Sequence, residues 1–169
     1  MNEFRVLSPT AILGYGFPVK SFEDGMKRHP NVIAVDAGST DPGPYYLGAG
    51  VSFTDRSAVK RDLEIMISAG IREGIPVIIG SAGGSGGEPH LQWNIDIINE
   101  IAVENGFNFK LAIIKAELDK KYILEMMRNG KVSPIHPAPE LTEEELGKTV
   151  RIVGQMGVEP FIRALDEGA

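Results

Sequence analysis

Cysteine is absent from the 169-residue chain. This excludes disulfides, thiolate metal sites, iron–sulfur clusters and cysteine nucleophiles, and it suits a reducing compartment. Basic charge is also scarce: Lys and Arg total 17 against 23 acidic residues, the net charge is -6 and the pI is near 5.1. Without a basic footprint to neutralise phosphates along a duplex, nucleic acid is excluded as a partner. Long hydrophobic runs are lacking, so no membrane partner is expected, and the start "MNEFRVLSPT" is too polar for a signal peptide. Internal repeats, heptads and low-complexity tracts are missing too. Charged residues at 24% and aromatics at 7% are ordinary for a globular domain. The expectation is one small, acidic, cytoplasmic domain with a single core.

What is present is a set of short runs rich in valine and isoleucine: "FRVLS", "NVIAVD", "IPVIIG" and "FKLAIIK". Each is too short for a helix and lacks the alternation of a half-wet strand, so all four read as strands covered on both faces. Between them, Val59, Leu63, Met66 and Ile67 share one helical face, as do Leu91, Ile95, Ile98 and Ala102. Gly74 and Gly106 mark the ends of these helices, and Pro89 suits a first helical turn. "SFEDGMKRHP" reads as a two-turn helix capped by Ser21. "DKKYILEMMRNG" is a helix closed by Gly130; Thr142 and Glu145 form a capping box; and Pro160 opens a last amphipathic helix. The fold class is therefore α/β: a three-layer sandwich with a mainly parallel sheet, Rossmann-like, with glycine-rich loops at the C-terminal ends of the strands. The domain spans 1–169, with βα units over 1–130 and a helical extension over 131–169 that docks on a second half or a partner subunit.

Ligands of open parallel sheets sit outside the C-terminal ends of the strands, where this chain places its glycines. "GSAGGSGG" offers the backbone amides of Gly80, Ser81, Gly83, Gly84, Ser85, Gly86 and Gly87 as an anion cradle ahead of a helix. It is not a Walker loop, since Gly87 and Glu88 stand where lysine and a hydroxyl belong, and no G-x-G-x-x-G can be fitted. The bland alternative is a turn that needs glycine for geometry alone. After "VIAVD", Asp36, Gly38, Ser39, Thr40 and Asp41 form a second loop. Asp36 suits a general base, a hydroxyl anchor or a hard-cation ligand, or else a residue closing its own turn. Tyr15, between Gly14 and Gly16, and Tyr45 line the site or pack beside it. Lys115 is a base or oxyanion clamp, or an ion pair with Glu117. His90, at a helix start, is held neutral as a base or ligand, whereas His29 and His136 read as exposed. The expected catalytic set is Asp36, His90 and Lys115. No metal site is assigned, zinc-ligand spacing is missing and no G-x-S-x-G elbow occurs. No cofactor is specified; a CoA-linked substrate and a divalent cation on Asp36, Asp41, Glu88 or His90 stay open.

"LSPTAILGYGFP", "NVIAVDAGSTDPGPYYLGAG", "IPVIIGSAGGSGGEPHLQW" and "RIVGQMGVEPFIRALDEGA" resemble the N-terminal region of the acyclic terpene utilisation (AtuA-like) family of bacterial catabolic proteins. The resemblance implies breakdown of branched acyclic terpenoids or related organic acids at the level of small carboxylates or acyl-CoA intermediates. It carries over no catalytic residue. Family members are longer, which implies a homo-oligomer or a partner subunit supplying the second half. The reading from sequence is an enzyme or enzyme subunit of lyase, hydratase or isomerase type acting on a small anionic substrate. Its rivals are a non-catalytic nucleotide- or phosphometabolite-binding module and a structural subunit.

Overall fold

The computed structural model describes residues 3–38 and 43–169. In chain order the elements are β1 (Val6–Leu7), α1 (Val19–Met26), β2 (Val32–Asp36), α2 (Tyr45–Ala49), α3 (Arg56–Glu73), β3 (Val77–Gly80), α4 (Glu88–Asn105), α5 (Lys120–Arg128), α6 (Glu143–Lys148) and α7 (Glu159–Asp166). The class is α/β. Three parallel strands in the order β1-β2-β3 carry the helices, an arrangement consistent with a three-layer sandwich. Val6 pairs with Val32, and Asp36 pairs with Gly80, so the ends of β2 and β3 lie side by side.

Burial follows the apolar runs. Ile33, Leu63, Met66, Ile97 and Ile101 are fully enclosed and form one core with Leu13, Phe17, Phe22 and Met26. At about 25 cal/mol per Å² of apolar surface removed from water, this cluster is the dominant stabilising term. Gly74 and Gly106 close α3 and α4, Pro89 and Pro160 stand in the first turns of α4 and α7, and both halves of the Thr142–Glu145 capping box are formed. Among the described residues, no helix is long and apolar enough to cross a membrane.

The structure departs from three of these expectations. Ser21 is no cap: α1 starts earlier, at Val19, with Pro18 in extended backbone at the N-cap and no side-chain cap there. The fourth apolar run does not join the sheet. Residues 107–116 are in no strand, Leu111 and Ile113 are 38% and 49% exposed, and among the described residues the one ladder contact near the run's end is an antiparallel bridge from Glu117 to Val153. α4 is also rotated from the expected face: its buried stripe is His90, Asn94, Ile97, Ile98 and Ile101, which leaves Leu91 and Ile95 only partly covered.

α3 and α4 are joined at the surface by charge. Glu100 accepts from Arg56 Nη2 and Lys60 Nζ, both at 2.6 Å, and Lys60 also reaches Glu104 at 2.7 Å. The hydrogen bonds from Arg56 and then Lys60 hold the Glu100 carboxyl at about 2, below its ordinary 4.5. The folded value lies below the unfolded one. The contribution is therefore present above about pH 4.5 and is lost as pH falls toward 2. Unfolding midpoints measured by circular dichroism should drop across that window, and Glu100→Gln should flatten part of the slope. An unchanged slope in the variant would show that solvent screening has removed the effect.

Candidate functional site

The C-terminal ends of β2 and β3 lead into two glycine loops that touch each other. A Cβ on Gly38 would lie 2.5 Å from Ser81 Cβ and 2.8 Å from the Gly84 carbonyl. Inside the second loop, the amides of Gly84 and Gly86 donate to the carbonyls of Ser81 and Ala82 at 2.9 and 3.2 Å, and the Ser85 amide also donates to Ala82. Ser81 sits at φ 45, a left-handed conformation that a side chain enters only at a cost. Gly83, Gly84 and Gly87 are buried, while Gly80, Ser85 and Gly86 are partly open. Much of the loop's donor capacity is thus spent on its own folding.

One anion already lies at the start of α4. Glu117 Oε2 accepts the backbone N–H of Glu88 at 2.7 Å, and Lys115 Nζ stands 3.1 Å from Glu88 Oε2. Lys115 therefore pairs with Glu88 and not with Glu117. The extended chain after the fourth apolar run carries these two residues to the helix start, where first-turn amides attract a carboxylate. Lys115 and Glu88 keep 68% and 45% of their side chains in solvent.

Asp36 is exposed, and its Oδ1 accepts the Gly38 N–H at 2.8 Å, so it closes its own turn. The same oxygen lies 3.8 Å from the position of a Cβ on Gly80, which sets Asp36 against the second loop. His90 is 1% exposed. Its Nε2 faces the carbonyls of Tyr46 and Val51 at 3.0 and 3.1 Å, and two acceptors require that nitrogen to carry the proton. Nδ1 is buried without a partner, near Gly87. His90 therefore ties the first turn of α2 to the segment that follows it. Tyr15 and Tyr45 are 67% and 71% exposed and flank an edge-on row completed by Phe53 and Tyr46. Ser39, Thr40 and Asp41 lie outside the described residues. Among the described residues, no three His, Asp or Glu side chains gather as a metal set.

Three residues that sequence reasoning missed organise this region. Asp62, wholly buried on α3, accepts the amides of Gly14 and Gly16 at 3.0 Å each and Arg61 Nη1 at 2.7 Å. An acid among Val59, Leu63 and Met66 was a readable signal. Asn94 is 2% exposed on the buried face of α4 and carries an unpartnered Oδ1. Arg151 donates to the carbonyls of Leu47 and Gly48 at 3.1 and 2.6 Å, and nothing in its sequence neighbourhood announced it. A cleft of about 770 Å³ opens beside the glycine loop, lined by β3, Asn94, residues 110–114 and α7.

The chain matches no family model, and comparisons with curated proteins and with solved structures find no similar protein.

Proposed function

We propose that this chain is a cytoplasmic catabolic enzyme, or an enzyme subunit, acting on a small carboxylate or acyl-CoA by lyase, hydratase or isomerase chemistry, as the resemblance to the AtuA-like family implies. The sheet is read as Rossmann-like, with the ligand beyond the C-terminal ends of β2 and β3. The observation that carries the reading is the Glu117 carboxylate on the Glu88 amide, beside Lys115. The place already suits a carboxylate, and a substrate acid group takes it by displacing Glu117 while Lys115 turns from Glu88 to the incoming charge. Asp36 is the exposed base beside the loop, suited to moving a proton next to a carbonyl. His90 acts through position, by fixing α2 under the aromatic row.

In this reading Glu117→Ala vacates the amide and tightens binding of simple carboxylates and acyl-CoA esters, whereas Lys115→Ala weakens it. Asp36→Asn lowers turnover by about 10²-fold or more while leaving binding intact. Titration calorimetry and a turnover assay on the complete assembly, with any partner subunit, check both. Equal ligand affinity in the wild type and Glu117→Ala, together with unchanged turnover in Asp36→Asn, would sink the proposal. A second reading, a non-catalytic nucleotide- or phosphometabolite-binding module, draws on the exposed Tyr15 and Tyr45 as faces for a purine. It requires thermal stabilisation by nucleotides without turnover.

A further inference from the structure

The cleft beside β3 has the dimensions and the unmet bonding of a missing strand. β3 pairs with β2 along one side only, and all four of its residues remain partly exposed although it continues the sheet from a buried neighbour. Across the cleft, residues 108–115 run without helix or strand, and among the described residues no backbone hydrogen bond involves them. Both walls therefore present unpaired N–H and C=O groups to the same space. The floor is apolar: Leu91, Ile95 and Ile98 of α4 line it, and Phe161 and Leu165 of α7 face it. Asn94 lines it as well, with its Oδ1 orphaned at 2% exposure.

These features select among occupants. An acyl or isoprenoid chain would fill the apolar space but leave two backbone edges and Asn94 cut off from water without partners, at about 1–3 kcal/mol per group. Water satisfies the polar groups but leaves the apolar floor wet. A β-strand answers both, because it carries donors and acceptors on its two edges and side chains above and below. At about 3.3 Å per residue, about 4.8 Å between strands and about 10 Å through the layer, a five-residue strand needs on the order of 800 Å³. The cleft holds about 770 Å³.

We propose that the cleft is a receptor slot for an extended, β-branched segment of a partner polypeptide. The segment pairs with β3 on one side and with residues 108–115 on the other, and completes a five-stranded sheet by strand addition. Glu88, Lys115 and Glu117 do not line the cleft, although Ser81, Ser85 and Gly86 of the glycine loop do, and the strand pairing is testable without the catalytic reading. Lys115 ends the paired wall and Glu117 follows two residues on, so the inserted strand also fixes the segment that delivers them to α4.

The test uses the full chain and a synthetic probe with the sequence of β2 and its flanks, NVIAVDA, bearing a lysine tail. The control is the same peptide N-methylated on alternate amides, which keeps the side chains and removes one hydrogen-bonding edge. In hydrogen exchange, the amides of 108–115 should exchange freely in the chain alone and become protected with the probe, together with the outward amides of β3. The methylated peptide should bind about tenfold more weakly or worse. The proposal is overturned if neither peptide binds, if both bind alike, or if 108–115 is already protected in the dilute chain. Protection that rises with the concentration of the chain alone would give the slot to a second copy and overturn the partner assignment.

Discussion

Replacing Asp62 by alanine is expected to cost about 3 kcal/mol of stability, one of the two strongest effects anticipated for this protein. The carboxylate is fully buried and collects three donors: the amides of Gly14 and Gly16 and the Arg61 guanidinium. Alanine leaves two partly buried amides without their acceptor. Arg61 would keep its bond to the Phe17 carbonyl and its place over the Phe17 ring, but it would lose its counter-charge. For a domain of this length the melting temperature should fall on the order of 10 °C. Asp62→Asn keeps one acceptor oxygen and should lose about half as much. Equal losses would mean that charge rather than hydrogen bonding dominates. Calorimetric or fluorescence melts of the two variants decide the matter.

Gly83→Ala should lose about 3 kcal/mol, from two separable causes. The residue sits at φ 69, where a side chain costs about 1 kcal/mol or more. An added Cβ would also fall 2.3 Å from the His90 carbonyl, which is helix backbone and cannot swing aside. Overpacking of that kind adds about 1–3 kcal/mol. Gly86→Ala isolates the first cause: its φ is also 69, but the nearest atom lies 3.9 Å away, so about 1 kcal/mol is expected. Gly38→Ala isolates the second, with no left-handed backbone but a contact of 2.5 Å. Chemical denaturation of the three variants should rank them Gly83 first and Gly86 last. If Gly86→Ala matched Gly83→Ala, the loop would need its glycines for conformation and not for close packing. The same variants bear on function, because a loop held this tightly fixes the start of α4 and with it the Glu117 carboxylate.

The helices were the most legible part of the sequence. Their apolar spacing, terminal glycines and the Thr142–Glu145 box are local signals, and each works within a few residues regardless of what lies beyond. β2 and β3 were legible for the same reason. Candidate residues were legible by type but not by partner. Lys115 was expected to meet Glu117 and meets Glu88. Asp36 spends one oxygen on its own turn. His90 was expected at a helix start as a base or ligand and lies 1% exposed, bonded to the Tyr46 and Val51 carbonyls. Partner choice depends on how loops far apart in the chain come to rest, and no spacing rule reports that. Asp62 is the exception that could have been read, since an acid within a buried helical face must find donors somewhere.

The sequence by itself determined the α/β class, the order of most elements and the placing of two glycine loops directly after β2 and β3, because these follow from periodicity and short-range chemistry. Only the tertiary structure decided what the glycines are for and what became of the fourth apolar run. Gly38, Gly83 and Gly84 of the two loops are where the backbone lies against another atom too closely for a Cβ, a matter of long-range packing. The fourth run has every local property of a strand, yet a strand exists only when a neighbour takes its hydrogen bonds. In this chain the place beside it is an open cleft of about 770 Å³.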